Sequence, residues 1–382
     1  MTAYKIKHLR PTVADINLTA LYKNFETLKK RINEKSLTMV VVKADAYGHG
    51  LVQISKEVIK LGADRLGVAT VEEGVKLREA GITHPIHLLG SFPLNQVEEV
   101  VLNNLIASVS DEILAVEINN QSKKLNKKTK VHLKINSGLN RFGINPKNTL
   151  SFCENYYSLP HLIWEGIYTH FSQADSRDWS TTDEQFYQFK TLANKLEANG
   201  FCFPVKHVAN STLIIENPEY HLDMVRLGVA LYGAYPNKNQ ENLIQLYPVM
   251  NITSSIISIR EVNKNNFVGY GKEYFTGEKC KKIAIIPIGS ADGYKSILSK
   301  DGRIIVNDRL VKIFGGISLD FTMIDVTGIN NVHLNQKVTL LGASKNKVIT
   351  INDMALWANL IPDEIFISIS QRVRKEYTRP PM

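Results

Sequence analysis

MVVVKADAYGHG, residues 39–50, contains an apolar run rich in β-branched residues that ends directly before Lys43. Two closely spaced glycines, Gly48 and Gly50, follow the lysine. A short continuous apolar run of this kind is typical of a buried strand, which here ends at Lys43. The glycines predict a turn, after which an amphipathic helix begins near Leu51. A lysine at the mouth of a buried strand is poorly solvated, which lowers its pKa and frees the amine to form a Schiff base with a carbonyl compound. A lysine that only extends its charge from a strand end into solvent is the alternative.

Length and composition indicate an ordinary folded protein. The 382 residues are enough for two or three domains, and a hydrophobic fraction of 44% is usual for a globular chain. No stretch approaches the about 20 apolar residues of a membrane span, so no membrane partner is expected. The first 17 residues contain no apolar secretory core, and the three cysteines form neither a disulfide framework nor a metal motif. These features favour a cytoplasmic protein without a metal.

The formal net charge of +9 raises the hypothesis of a nucleic-acid partner. The densest basic cluster consists of Lys123, Lys124, Lys127, Lys128 and Lys130. No aromatic platform or binding motif accompanies it, so we interpret it as a solvated helix face with the loop that follows, and we expect no nucleic-acid partner. The excess of positive charge favours anionic small molecules instead.

Helices and apolar strands alternate through the first two thirds of the chain. Residues 19–32 have helical spacing, as do residues 71–80, 94–103 and 183–199. Eight strands are predicted at residues 38–43, 65–70, 85–90, 106–110, 131–136, 162–171, 205–210 and 224–233. This alternation is typical of a (β/α)8 barrel of the TIM type, although a doubly wound open sheet shows the same alternation.

The pattern changes beyond residue 236. Short strands are predicted at residues 253–262, 282–288, 302–306, 312–314, 322–326, 337–341 and 365–369, and only residues 351–359 are predicted to be helical. We therefore expect a mostly β C-terminal domain, either a sandwich or a barrel. The boundary is expected in the loop of residues 236–245, which gives a barrel domain of residues 1–240 and a β domain of residues 241–382.

A (β/α)8 barrel gathers the side chains at the carboxyl ends of its strands on one face. That rule brings together Lys43, Tyr47, Lys134, Arg141, His170, His207, Asn210, Ser211 and Arg226. Ser211 at a helix start and the backbone of Gly228-Val229 suit a phosphate group. Each member also has a structural interpretation, since the histidines could be satisfied core residues and Arg226 an ion-pair partner. Jointly, a Schiff-base lysine, a phosphate site and convergent cations favour an enzyme that uses pyridoxal 5'-phosphate (PLP).

Motifs along nearly the whole chain resemble those of the alanine racemase family, in the family's order. They are residues 42–50 (VKADAYGHG), 134–143 (KINSGLNRFG), 168–171 (YTHF), 207–211 (HVANS), 225–233 (VRLGVALYG), 268–271 (VGYG), 288–293 (IGSADG) and 319–320 (LD). The resemblance implies a PLP-dependent homodimer that interconverts L-alanine and D-alanine with two bases. Such an enzyme supplies D-alanine for peptidoglycan.

The resemblance also implies a role for each matching residue. Lys43 would hold PLP and act as the base on one face of the substrate Cα, and Tyr270 would act on the other face in the partner subunit's site. Arg141 and the backbone of Leu319 would bind the substrate carboxylate, and Lys134 matches a lysine that is often carboxylated. The further implied cofactor contacts are Tyr47, His170, Asn210, Ser211, Arg226, Gly228 and Val229.

Five positions depart from the family pattern. Ser290 and Gln371 stand where the family often has tyrosine, and Gly316 stands where arginine is common. Leu319 stands for a methionine, and Asn136 stands for an aspartate. The first three residues would line the substrate entrance, which leaves open a racemase of broader range, acting on serine, lysine or other amino acids.

Two further hypotheses use the same architecture. An amino-acid decarboxylase would carry an acidic residue at the pyridine nitrogen, where this chain has Arg226. A non-catalytic PLP carrier is usually a single barrel, without the β domain that contains Tyr270. Both hypotheses are therefore disfavoured.

Overall fold

A computed structural model describes residues 9–176 and 178–380, and the chain divides into two compact units. One unit consists of Tyr22–Leu231 and Tyr235–Leu246, and the other contains the chain up to Leu21, Tyr232–Ala234 and the chain from Tyr247 onward. The predicted domains, residues 1–240 and 241–382, divide the chain at one point, whereas these units interleave. The early residues group with the later ones because strand pairing joins them across the sequence.

The strands and helices of the described residues have the following bounds. The first strands are β1 (Val13–Asn17), β2 (Leu37–Val41), β3 (Arg65–Val68), β4 (Ile86–Leu88), β5 (Ala107–Val109), β6 (Thr129–Lys134), β7 (Leu162–Tyr168), β8 (Val205–His207) and β9 (Met224–Leu227). The later strands are β10 (Met250–Ser255), β11 (Ser258–Val262), β12 (Phe267–Val268), β13 (Tyr274–Phe275), β14 (Lys281–Ile286), β15 (Arg303–Val306), β16 (Arg309–Ile317), β17 (Thr322–Asp325), β18 (Lys337–Ser344), β19 (Lys347–Ile349) and β20 (Arg374–Thr378). The α-helices are α1 (Leu18–Lys29), α2 (Leu51–Lys60), α3 (Val71–Glu79), α4 (Val97–Leu102), α5 (Glu112–Lys124), α6 (Thr149–Tyr156), α7 (Ser180–Ala198), α8 (Ser211–Glu216), α9 (Leu298–Asp301), α10 (Ile351–Ala358) and α11 (Pro362–Ser368).

Strands β2 to β9 form a closed parallel barrel. They pair in the orders β4-β3-β2-β9 and β5-β6-β7-β8. The Leu88 N–H donates to the Ile106 carbonyl at 2.9 Å and joins the two groups on one side. The Arg226 N–H donates to the Ala209 carbonyl at 3.0 Å and joins them on the other. The predicted (β/α)8 barrel is thus confirmed, and the open sheet is excluded.

The barrel strands could be recognised in the sequence because they are buried and therefore consist of continuous apolar runs. Strand β2 is buried over four of its five residues, as a strand covered on both faces must be. Met39, Val205 and Met224 pack together inside the barrel, with Leu37 and Leu89 against them. Helix α2 begins at Leu51, as the glycines before it predict. None of the helices in the described ranges has both the length and the apolar composition to cross a membrane.

The second unit is mostly β, as expected. Its main sheet has the order β11-β14-β17-β16-β15-β18-β10-β1-β20, with β19 paired to β18, and β12 and β13 form a separate hairpin. Strand β1 lies between β10 and β20, whereas the first strand predicted from the sequence is at residues 38–43. Five residues that pair only with distant segments give no local signal strong enough to mark a strand.

The strand predicted at residues 365–369 is wrong, because these residues fall in or directly after helix α11. Pro362 occupies the first turn of this helix, and the Ile361 N–H donates to the Glu364 carboxylate at 3.3 Å. A proline at the first helical position with a glutamate two residues later is a helix-start signal. That signal outweighs the β propensity of the isoleucines.

Candidate active site

Lys43 follows the end of β2 at Val41, and the chain then makes a left-handed turn. Residues 44, 45, 46 and 47 have φ angles of 53°, 56°, 54° and 51°. An L-residue loses about 1–2 kcal/mol in this conformation, because its Cβ approaches the following carbonyl oxygen. Four such residues in succession need strong support from their surroundings.

Two carboxylates supply part of that support. Glu73, in the first turn of α3, accepts hydrogen bonds from the Ala44 N–H at 2.5 Å and the Ala69 N–H at 2.9 Å. Asp45 accepts a hydrogen bond from the Leu51 N–H at 2.8 Å, which ties the turn to the start of α2. As a result, the Lys43 Nζ lies 5.9 Å from the centre of the Tyr47 ring.

Tyr47, Ser211 and Gly228 form a small polar cradle. Ser211 follows Asn210, which caps α8 by accepting a hydrogen bond from the Leu213 N–H at 3.3 Å. The Gly228 N–H donates to the Ser211 Oγ at 3.0 Å. A Cβ at position 228 would lie 3.1 Å from the Tyr47 Oη and 3.5 Å from the Ser211 Oγ. Glycine thus keeps open a space lined by two hydroxyls and a backbone amide, a donor set that fits a phosphate group.

Lys134, at the end of β6, is the most perturbed amine of the site. Its Nζ donates to the Leu89 carbonyl at 2.8 Å and lies 4.9 Å from the centre of the Tyr168 ring. Burial, together with the positive charges of Arg226, Arg141 and Lys43, lowers the pKa of Lys134 to about 7. A large fraction of this amine is therefore neutral near pH 7.

Arg226, in β9, is buried and held by neutral acceptors. Its Nη2 donates to the Val208 carbonyl at 2.9 Å and the Thr169 carbonyl at 3.2 Å, and its Nη1 donates to the His207 Nδ1 at 3.0 Å. Burial lowers the pKa of Arg226 to about 10, so the guanidinium remains charged at neutral pH.

His170 lies beside the same guanidinium. The Arg226 Nη2 also approaches the His170 Nδ1 at 3.2 Å. Burial and the neighbouring cations lower the pKa of His170 to about 3, so its imidazole is neutral and can accept this hydrogen bond. Of the barrel residues predicted to converge on the carboxyl-end face, Lys134 and His207 end their strands, Arg226 is the last but one residue of β9, and the others follow their strands.

The interior of the barrel also contains a polar cluster that sequence reasoning did not find as a unit. His87, His132 and His207 come from β4, β6 and β8, and their ring nitrogens lie within 4.8 Å of one another. Alternate strands of a barrel contribute side chains to the same interior layer, and this rule was the available signal. Glu165 of β7 and Arg65 of β3 complete the cluster.

The remaining predicted residues lie in the β unit. Tyr270 occupies the turn between β12 and β13, and its side chain is 81% exposed. The preceding Gly269 has a φ of 77°, and a Cβ there would lie 2.0 Å from the Gly315 carbonyl oxygen. Leu319 is 67% exposed. The roles predicted for Tyr270 and Leu319 stay predictions.

Comparison with known proteins extends over both units. The model of the alanine racemase N-terminal domain matches residues 16–236, and that of the C-terminal domain matches residues 249–377. The alanine racemase of Halothermothrix orenii is 40% identical over 368 residues, which cover 96% of this chain and 97% of the relative. That of Clostridium perfringens ATCC 13124 is 38% identical over 378 residues, covering 97% and 96%. This chain belongs to the alanine racemase family.

Solved structures of alanine racemases agree with that assignment. The enzyme of Clostridium difficile 630 superposes with a TM-score of 0.92 at 33% identity, covering 98% of this chain and 97% of that one. The Bacillus anthracis enzyme, solved with bound L-Ala-P, gives a TM-score of 0.91 at 30% identity, covering 98% and 96%. The barrel followed by a β domain is therefore the alanine racemase fold.

Relief of backbone strain at Ala44 should stabilise the protein. Ala44 is exposed, so Ala44→Gly removes a strained Cβ without loss of packing, and we expect the free energy of unfolding to rise by up to about 1 kcal/mol. Urea unfolding of both proteins measures the difference. Ala198→Gly, at an exposed position of α7, is the control and should lower stability. Equal losses in the two variants would show that the turn stores no strain.

Proposed function

We propose that the protein interconverts L-alanine and D-alanine, with PLP held by Lys43. The observation that carries the proposal is the placement of the Lys43 amine beside Tyr47, whose hydroxyl borders the Ser211–Gly228 cradle. The amine is suited to hold an aldehyde, and the cradle is suited to hold the phosphate of the same molecule. Val229 follows Gly228, Asn210 precedes Ser211, and His170 lies beside Arg226; these three complete the proposed cofactor contacts. Membership of the alanine racemase family supports alanine as the substrate.

Lys43 and Tyr270 are the proposed bases. When bound, PLP withdraws electrons from the substrate Cα and makes its proton acidic. One base accepts that proton on one face of the Cα, while the other returns a proton on the opposite face, so the proton count is unchanged. In the reverse direction the two residues exchange roles. Arg141 and the Leu319 backbone are the proposed partners of the substrate carboxylate.

Arg226 is the proposed partner of the pyridine nitrogen. A guanidinium that remains charged at neutral pH can donate a hydrogen bond, but it does not give up its proton to the ring. The electron sink is then weaker than it would be beside a carboxylic acid. This limits side reactions such as transamination and decarboxylation.

The wider proposal is a cytoplasmic homodimer that supplies D-alanine for peptidoglycan, with no nucleic-acid or membrane partner. Three free cysteines agree with a reducing compartment. The strong exposure of Tyr270 agrees with a role in a neighbouring subunit's site. Ser290, Gly316 and Gln371 left a broader amino-acid range open, but no observation favours it, and the relatives named above are alanine racemases.

A chiral assay with covalent labelling tests this function. Purified protein should convert L-alanine to D-alanine, and borohydride should fix a pyridoxyl group on Lys43, as read by peptide mass mapping. Lys43→Ala should lose both signals because the amine is absent. Lys60→Ala, on the exposed side of α2, is the matched control and should retain both. A label on another lysine, or racemisation of other amino acids in preference to alanine, would contradict the proposal.

Lys134 is proposed to be carboxylated, as its lowered pKa allows. The neutral amine attacks CO2, forming an N–C bond and releasing one proton, and the carbamate anion would orient Arg141. Because the pKa of Lys134 is about 7, the neutral fraction and the carbamate signal should rise between about pH 6 and about pH 8. Carbon-13 NMR in labelled bicarbonate measures the signal. Lys134→Arg should abolish it and Lys130→Arg, on the same strand, should retain it; no signal in the wild type would refute the modification.

Subunit mixing tests whether Tyr270 acts in the partner's site. Lys43→Ala and Tyr270→Phe should each be inactive as pure dimers. If each site combines Lys43 of one chain with Tyr270 of the other, a hybrid dimer contains one intact site and one doubly altered site. Random exchange makes about half of the dimers hybrids, so roughly a quarter of wild-type activity should return. No recovery after verified exchange would place both residues in one chain.

A further inference from the structure

A continuous chain of hydrogen bonds runs from Arg226 through the barrel interior to Glu165. The Arg226 Nη1 lies 3.0 Å from the His207 Nδ1, and the His207 Nε2 lies 3.0 Å from the His132 Nδ1. The His132 Nε2 lies 3.2 Å from the Glu165 Oε2. Both histidines are fully buried, so solvent cannot replace the bond between them.

The two ends of this chain determine its direction. A guanidinium can only donate, so the His207 Nδ1 accepts and the proton of a neutral His207 is on Nε2. The His207 Nε2–H then donates to the His132 Nδ1, which places the proton of His132 on its own Nε2. A carboxylate can only accept, so Glu165 receives that last hydrogen bond. Each imidazole therefore has one allowed tautomer.

The charges around the chain are consistent with neutral imidazoles. Burial lowers the pKa of His207 and of His132, and the positive charge of Arg65 acts in the same direction on both. Arg226 adds to the lowering at His207, whereas the hydrogen bond to Glu165 opposes it at His132. Burial alone would raise the pKa of Glu165, but hydrogen bonds from His132, Arg65 and Lys130 outweigh it and lower that pKa well below its usual range. The carboxylate is therefore charged near pH 7, where it acts as an acceptor.

The backbone of β7 makes room for this arrangement. A Cβ at position 166 would lie 2.4 Å from the His132 ring, so the residue after Glu165 can only be glycine while the ring stays in place. The pairing of β6 with β7 shifts register between Val131 and His132. Both features direct His132 toward Glu165.

We propose that Glu165 is a positioning residue, which fixes the tautomers of His132 and His207 and thereby holds the Arg226 guanidinium in place. The direction of the chain follows from the protein alone. Its consequence for catalysis rests on the function proposed above, in which Arg226 faces the pyridine nitrogen.

The three buried histidines also offer donor atoms for a metal ion. His87 lies 4.4 Å from His132 between ring centres, and its Nδ1 has no hydrogen-bond partner among the described residues. A metal would have to replace the bond between His132 and His207 and to lie near the charges of Arg65 and Arg226. These costs favour the hydrogen-bonded chain, and metal binding is an outcome that the test must distinguish.

Nitrogen-15 spectra of the histidine rings in the purified holoenzyme test the proposal, with each signal assigned by substitution of one histidine at a time. The wild type should show Nε2–H tautomers for His132 and His207. In Glu165→Leu, the His132 Nε2 should instead accept from Arg65, so both imidazoles should change to the Nδ1–H form. The His207 Nδ1–H would then oppose the Arg226 N–H, and that hydrogen bond would be lost.

Two other variants separate this effect from a loss of folding. Both Arg65 and His132 donate to the Oε2 of Glu165, so the carbonyl oxygen of Glu165→Gln should take that place and retain the tautomers. Lys130→Met removes the partner of the other carboxylate oxygen and should also retain them. We expect kcat to fall by roughly 10- to 100-fold in Glu165→Leu, the range seen when metal-bound histidines lose their outer hydrogen-bond partner, and to stay near wild type in the two controls.

The outcomes decide between the alternatives. Unchanged tautomers in Glu165→Leu, or Nδ1–H forms in the wild type, would overturn the proposal. Zinc that copurifies with the wild type and is lost from His87→Ala would overturn it in favour of a metal site. The predicted tautomers in a protein that racemises no amino acid would support the chain of hydrogen bonds and refute the proposed function.

Discussion

Four consecutive left-handed residues, 44–47, join Lys43 to Tyr47 and bring both side chains to one face of the barrel. Unsupported, they would cost about 4–8 kcal/mol, which approaches the whole net stability of a typical domain. Glu73 and Asp45 offset this cost by accepting the backbone N–H groups of Ala44 and Leu51. The position of the amine therefore depends on two carboxylates that are not expected to contact substrate or cofactor.

At the same pH, the buried basic groups of the site differ in their protonation state. Burial and the neighbouring cations lower the pKa of Lys134 to about 7 and that of His170 to about 3, so the first is partly neutral and the second is neutral. Arg226 is as deeply buried, but its pKa of about 10 leaves it charged. The site thus combines a reactive amine, a neutral acceptor and a fixed cation. The difference arises from the ordinary pKa values of the three groups, which burial shifts in the same direction.

Local patterns in the sequence predicted the barrel strands and the residues that follow them. Lys43, Lys134 and Arg226 could be placed because an apolar run ends beside each of them and the barrel rule then assigns the face. Strand β1 and the interleaved units could not be predicted, because pairing between Val13–Asn17 and Arg374–Thr378 has no local signature. The same holds for Glu165, whose polar contacts inside the barrel depend on the register of three strands. The left-handed turn was hidden as well, since three of its four residues are alanine or tyrosine, which rarely adopt positive φ.

The placement of Glu165 resolves a conflict between anchoring Arg226 and keeping its charge effective. A carboxylate in direct contact would hold the guanidinium firmly, but it would also offset the positive charge beside the cofactor site. The neutral imidazoles of His207 and His170 accept hydrogen bonds from the guanidinium and add no negative charge there. The Glu165 carboxylate is instead separated from Arg226 by His207 and His132, and Arg65 and Lys130 balance its charge. The buried chain of histidines thus fixes the orientation of the Arg226 guanidinium and leaves its positive charge available to the proposed cofactor site.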